Sequence, residues 1–345
     1  MKEIRKEDTD RLEKLFEEDC DFAIISHVNP DGDALGSSCG LFHFLKSLGK
    51  NASVILPTQV PDTISFIAEG IDIIIGEKDP EEASRLINGC GVLFCLDFNS
   101  PRRTDCLESA IEESKAFKVL VDHHLAPERE KFNLVFSETQ VSSASELLYH
   151  VLMQTQGIGR DASKLPPASA YCLMCGMTTD TNNFANSVFP ETLEMASQLI
   201  AAGVDRDDIL MNIYNKYAER RFRLMGYLLK DKLTITEEGV AYMILDKETI
   251  DNYGVEEGDT EGLVNIPLGI KEVRMSIFLK EKDDKFRVSI RSEKGTSANR
   301  CAMQYFHGGG HENAAGGRLD KPSDVASAAD AARYIEEKTK EFFGL

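Results

Sequence analysis

Six short apolar runs punctuate the chain up to Phe136, and each is too continuous to be a strand with one wet face. They are Phe22–His27 (FAIISH), Ser53–Leu56, Ile71–Ile75, Val92–Asp97 (VLFCLD), Lys118–Asp122 (KVLVD) and Phe132–Phe136. Helical patterns such as Gly36–Leu48 and Pro101–Ser114 fall between several of them. Strands that are apolar on both sides need both faces covered, and helical crossovers supply that cover only in a parallel sheet. Helical patterns then dominate from Ser142 to about Lys230, with a looser stretch between Tyr149 and Pro167. Near Lys232 the pattern changes. Leu233–Thr236, Val240–Leu245, Val273–Leu279 and Phe286–Ser292 read as strands, Glu281–Asp284 (EKDD) as a hairpin turn, and Pro322–Phe343 as a closing helix. The expectation is an α/β chain: a mainly parallel, Rossmann-like sheet in residues 1–190, a helical connector over 191–231, and a smaller α+β domain with a mixed sheet in 232–345. A length of 345 residues suits two domains.

Polar residues gather where these strands end. The first run closes on His27 and leads into Asn29-Pro30-Asp31-Gly32-Asp33; Val92–Asp97 is apolar until Asp97; Lys118–Asp122 ends in Asp122 and continues into His123-His124. Ligands of open α/β sheets bind beyond the carboxyl ends of the strands. Taken alone, NPDGD is equally good turn chemistry, and a lone strand-end carboxylate is often a cap. Three strands ending in His or Asp at one sheet edge are harder to read that way. A fourth segment, Gly176–Asn182 (GMTTDTN), adds Asp180, for which an N-cap or Asx-turn is the competing reading. Together His27, Asp31, Asp33, Asp97, His123 and Asp180 form a nitrogen–oxygen donor set without thiolate, suited to Mn²⁺, Mg²⁺, Fe²⁺ or Co²⁺. It is large enough for two ions clamping one phosphoryl group, with Asp97 as the shared carboxylate.

The later domain carries a basic island. Arg291 closes the FRVSIRS strand, Lys294 and Arg300 follow, and His307–Gly317 reads HGGGHENAAGG. Glycines there are expected to let backbone N–H groups approach a phosphate, helped by the N-terminus of a following helix. Gly308, Gly309, Gly310, His311 and Arg291 are the candidate substrate-binding residues. Cys172 and Cys175 have CxxC spacing but no second pair, and read as helix packing; His43, His150 and His307 read as structural.

The formal net charge of −19 excludes long duplex DNA as a partner, because that binding rests on many Lys and Arg contacts to phosphates. Small phosphorylated ligands remain open, since a bound metal sets the local field. No apolar run approaches the roughly 20 residues that span a bilayer, and the charged N-terminus has no signal core. With eight scattered cysteines, several in apolar runs, a reducing cytoplasmic location without membrane association is expected.

HVNPDGDALGSS, LDFNSPRR, VDHH and GMTTDTNNF, in this order, resemble the four motifs of the DHH phosphoesterases, and FRVSIRS with GGGHENAAGG resembles the associated DHHA1 domain. The compact layout is similar to the NrnA-type bifunctional oligoribonucleases and pAp phosphatases. The resemblance implies two divalent cations, Mn²⁺ foremost. His27, Asp31 and Asp97 would hold one; Asp33, Asp97, His123 and Asp180 would hold the other. His124 would face the scissile phosphate as donor or general acid, and Asp122 would orient the histidines. The implied activity is hydrolysis of very short oligoribonucleotides, such as pApA, and of pAp. Alternatives are a cyclic-dinucleotide phosphodiesterase, an exopolyphosphatase or inorganic pyrophosphatase, and a nucleotide-binding regulator without turnover. A homodimer is compatible with each.

Overall fold

The computed structural model describes residues 4–256 and 258–344, which divide into two compact units, Met1–Lys216 and Tyr217–Leu345. In unit one, α1 (Lys6–Glu17) precedes β1 (Phe22–Ile25), α2 (Gly32–Ser47), β2 (Ala52–Leu56), β3 (Ile73–Ile75), α3 (Pro80–Gly89), β4 (Val92–Leu96), α4 (Glu108–Glu113), β5 (Phe117–Asp122) and β6 (Leu134–Ser137). Four helices follow: α5 (Ala144–Met153), α6 (Pro167–Asp180), α7 (Pro190–Ala201) and α8 (Arg206–Tyr214). All six strands are parallel in the order β3-β2-β1-β4-β5-β6, with Ile25 beside both Ile55 and Cys95. This is a doubly wound sheet, and its strand order reverses between β1 and β4, the place where such sheets open a crevice at their carboxyl ends.

The continuous apolar runs are explained by burial on both sides. Ile24, Val54, Phe94, Val119 and Val121 face one core with α2, α5 and α6. Ala23, Ile25, Ile55, Leu93, Cys95 and Leu120 face another with Ala83, Ile87 and Ile111 of α3 and α4. Helices α2 and α6 meet backbone to backbone. A Cβ on Gly36 would lie 2.6 Å from the Cys172 carbonyl oxygen and 2.7 Å from Gly176 Cα. Cys39, Cys172 and Cys175 are buried free thiols in the core with these two helices, as packing predicts.

Unit two opens with α9 (Glu219–Tyr227), so the helices expected as a connector are shared between the units. It continues through β7 (Thr234–Ile235), β8 (Val240–Leu245), α10 (Lys247–Tyr253), β9 (Met275–Glu281), β10 (Lys285–Ser292), α11 (Ala298–Tyr305), β11 (Gly309–His311), β12 (Ala314–Asp320) and α12 (Ala328–Phe342). The sheet order is β11-β12-β10-β9-β8-β7, antiparallel except for β8–β9, which makes it mixed. Among the described residues no helix is long and apolar enough to cross a membrane.

Four local expectations are corrected. Pro101–Ser114 is not one helix: a 3₁₀ turn at Pro101–Leu107 contains Asp105 at φ 44°, ψ −105°, and α4 starts only at Glu108. The stretch from Tyr149 begins as helix, because Tyr149, Val151 and Leu152 are core residues of α5. No helix follows the glycine segment of unit two. The chain there turns into the β11–β12 hairpin, and the closing helix starts at Ala328, capped by Ser327, instead of at Pro322.

Candidate metal centre

Each ligand candidate of unit one sits at the end of an element, and hydrogen bonds to nearby backbone hold His27, Asp31 and Asp33. His27 follows β1, where the Ser26 hydroxyl donates to the Leu96 carbonyl at 2.9 Å and ties the β1 end to the β4 end. The His27 Nδ1 lies 2.8 Å from its neighbour's carbonyl, Val28 O; donating there leaves Nε2 to face Asp97 Oδ2, 3.3 Å away, with a lone pair for a cation once its proton leaves. Asp31 caps α2, one oxygen accepting the Asp33 and Ala34 amides at 3.0 Å each. The cap reading and the ligand reading thus coexist on one carboxylate. Asp33, in the first turn of α2, points at the start of α5 and accepts Ala144 N at 2.6 Å and Ser145 N at 2.9 Å, where the helix end favours a negative charge. Gly176 makes this possible: a Cβ there would lie 2.0 Å from Ser145 Oγ and 3.0 Å from Asp33 Oδ1.

Asp97 directly follows β4 with φ at +61°, a left-handed backbone that a non-glycine residue keeps only when its surroundings impose it. Its Oδ1 lies 3.4 Å from His123 Nε2 and 3.7 Å from His124 Nδ1. His123 Nε2 is also 3.9 Å from Asp33 Oδ2 and 3.6 Å from Asp180 Oδ2, and Asp180 is the last residue of α6. Three groups result whose donor atoms all lie within 4.8 Å of one another: His27, Asp31 and Asp97; Asp33, His123 and Asp180; Asp97, His123 and His124. Asp97 belongs to two of them. Asp122, fully buried, holds His124 Nδ1 at 2.7 Å.

The electrostatics suit divalent cations. Burial, then the neighbouring Asp97 charge, pushes Asp33 up to about 7. Burial opposes charge on His27 and His123, but the Asp97 carboxylate outweighs it and raises them to about 9 and about 10. Burial also works against ionised Asp97, yet the His123 and His27 contacts hold it well below the usual carboxylate range. Asp97 Oδ1 is buried without a hydrogen-bond partner, as an acceptor waiting for a cation would be. The donor set is imidazole plus carboxylate with no thiolate, which fits hard or borderline divalent ions.

One residue escaped the sequence reading. Arg103, inside the quoted LDFNSPRR segment, places Nη1 2.9 Å from His124 Nε2. The available signal was a guanidinium six residues after a strand-end carboxylate in an otherwise acidic chain.

The unit-two candidates differ in kind. Arg291 is half-buried in β10, burial lowers its guanidinium pKa, and Nη1 donates to the Ile290 carbonyl at 2.9 Å. The glycines do not offer a free amide cradle: Gly308 N donates to Ala302 O at 3.2 Å and Gly310 N to Asn299 Oδ1 at 2.9 Å. Their small size serves packing, since a Cβ on Gly308 would lie 1.9 Å from Gly316 O and one on Gly310 2.5 Å from Ala314 O. Gly309 pairs with Gly316 across the hairpin, and His311 is exposed at its tip.

Comparison with known proteins agrees with this division. The DHH family N-terminal domain matches residues 21–177 and the DHHA1 domain matches residues 237–338. The chain is 30% identical over 302 residues to the bifunctional oligoribonuclease and PAP phosphatase NrnA of Thermus thermophilus, covering 86% of this chain and 83% of that one. It is 27% identical over 297 residues to the protein of the same name from Bacillus subtilis, covering 85% and 87%. An exopolyphosphatase-related protein from Bacteroides fragilis superposes with a TM-score of 0.92 at 36% identity, over 99% of this chain and 98% of that one.

Proposed function

The chain belongs to the DHH/DHHA1 family of metal-dependent phosphoester hydrolases, and from that premise we propose that it hydrolyses very short oligoribonucleotides and pAp in the cytoplasm, with Mn²⁺ as its metal. The observation that carries the reading is the sharing of Asp97 between donor groups at the β1–β4 switch point. His27, Asp31 and Asp97 would hold one ion; Asp33, Asp97, His123 and Asp180 the second. Two such ions supply Lewis-acid charge on the phosphoryl oxygens and a water ionised at neutral pH. The chain's own groups do the rest. The Val28 carbonyl and the α5 amides hold His27 and Asp33 in ligating orientation. Asp122 fixes the ring of His124 beside the ligand cluster. Arg291 and His311 bind a second phosphate or the terminal nucleotide, Arg291 because its guanidinium is half-buried with carbonyls as its hydrogen-bond partners.

A second reading, removal of phosphate from polyphosphate ends, is favoured by the 36% identity to the exopolyphosphatase-related protein. A product-resolved assay with Mn²⁺ separates them, comparing pAp, pApA, RNA two-mers to five-mers, a long single strand, cyclic di-AMP and polyphosphate. Turnover of pAp and the shortest RNAs above all others is the expected result; preference for polyphosphate or for the long strand overturns it.

A further inference from the structure

We propose that Arg103 is a catalytic residue, the group that grips a non-bridging oxygen of the reacting phosphate, and that His124 is the positioning residue that aims it. The inference rests on the phosphoester reading above.

The hydrogen-bond valences lead to this assignment. A guanidinium has donors only, so the 2.9 Å contact with Arg103 Nη1 makes His124 Nε2 an acceptor. The ring hydrogen then sits on Nδ1, 2.7 Å from Asp122 Oδ1. Buried carboxylate, imidazole and guanidinium form one directed relay. His124 keeps no N–H for a phosphate, whereas Arg103 keeps most of its fork of donors.

Charge points the same way. The side chains around Asp97 are carboxylates and imidazoles, a set that attracts cations. A guanidinium beside them opposes metal binding. Its presence is useful once an anion arrives, because a charge-assisted, bidentate contact to a phosphoryl oxygen strengthens as charge develops there.

The loop is built to hold this one side chain. Ser100 Oγ accepts Arg102 N, and Arg103 N donates to Ser100 O at 3.0 Å. Arg103 O accepts Val28 N at 2.9 Å, directly after His27. The strained Asp105 closes the turn two residues later. Asn99 Nδ2 donates to Leu125 O at 2.8 Å, stapling this loop to the one that carries His124. Arg103 is thereby fixed from both sides of the metal-ligand cluster.

The test uses the full chain with Mn²⁺ and a dinucleotide, measuring kcat, KM and bound metal. Arg103→Ala is expected to keep the wild-type metal content and lose at least about a hundredfold in kcat. Added guanidinium ion should restore part of the rate and ammonium should not. Arg103→Lys should recover little, because a point charge does not replace the planar fork. His124→Ala should show a similar kcat loss that guanidinium does not rescue. A wild-type rate in Arg103→Ala, loss of metal from it, or indifference to guanidinium would overturn the proposal. A wild type inert toward every phosphoester in the panel would overturn the functional reading and this inference together, an outcome distinct from an active wild type with an equally active variant.

Discussion

The strand ends of unit one and the glycine hairpin of unit two look alike in sequence, each a short polar or flexible segment beside an apolar run, yet the structure uses them differently. At the unit-one edge, side chains from the ends of β1, α2, β4, β5 and α6 converge in three overlapping groups, the donor atoms of each group lying within 4.8 Å of one another. In the hairpin, the Gly308 and Gly310 amides are already bonded within the protein, and the missing Cβ atoms let β12 approach its neighbours. Converging buried polar groups need an external ligand to be satisfied; converging glycines can be explained by backbone contact alone.

The sharpest way to break this contrast is Asp97→Ala. Removing the carboxylate common to two donor groups is expected to cost at least about a thousandfold in hydrolysis, on the scale of losing a central electrostatic stabiliser, and to lower bound metal by elemental analysis. Retained activity with unchanged metal content would sink the two-metal reading. Arg291→Ala ranks next. It should leave metal content intact and raise KM for dinucleotides roughly tenfold or more, the scale of a charge-assisted hydrogen bond. Unchanged KM on every substrate would remove unit two from recognition.

These two predictions also mark where sequence was legible. The six parallel strands and their polar ends could be read because strand direction in a covered sheet dictates which edge His27, Asp97 and Asp122 occupy. The convergence of Asp33 with Asp180 could not be derived from local pattern: it depends on α2 and α6 touching at Gly36 and Gly176. The break at Asp105 was invisible because Pro101–Ser114 has ordinary helical composition, and the strain has meaning only beside Val28 and His124. The hairpin was misjudged because glycine permits both a phosphate cradle and a tight crossing.

A pair of matched steric insults sharpens the comparison further. Gly176→Ala and Gly308→Ala each drive a Cβ to about 2 Å from another atom, Ser145 Oγ in one case and Gly316 O in the other. Both should destabilise by ~1–3 kcal/mol, the usual cost of overpacking, read by calorimetry. Only Gly176→Ala should also weaken metal binding, because Ser145 and Asp33 are the atoms it displaces. Equal metal affinity in the two variants would separate the α2–α6 contact from the centre it is argued to shape.

The smallest effect expected is a pH dependence confined to one unit. Without metal, Asp33 at about 7, His27 at about 9 and His123 at about 10 are all raised above ordinary values of about 3.9 and 6.5. A raised folded-state pKa gives stability that is full below the unfolded value and lost as pH climbs through the folded one. All three groups therefore act with one sign, and unit one should lose stability from about pH 4 to about pH 10, Asp33 acting up to about pH 7 and the two histidines from about pH 6.5 upward. Asp97 has the opposite sign, but its contribution is lost only below about pH 4, outside this window. In unit two the raised groups Tyr242 and Cys301 lie at about 12, so that unit gains no comparable slope. Metal binding takes the ligands in deprotonated form, so saturating Mn²⁺ should flatten the slope, and metal affinity should rise with pH over the same range. Calorimetry at pH 6, 7.5 and 9, with chelator and with Mn²⁺, reads this directly. A chelated protein whose Tm follows the same pH course as the Mn²⁺-saturated one would show that the buried carboxylates and imidazoles are not coupled through the metal centre.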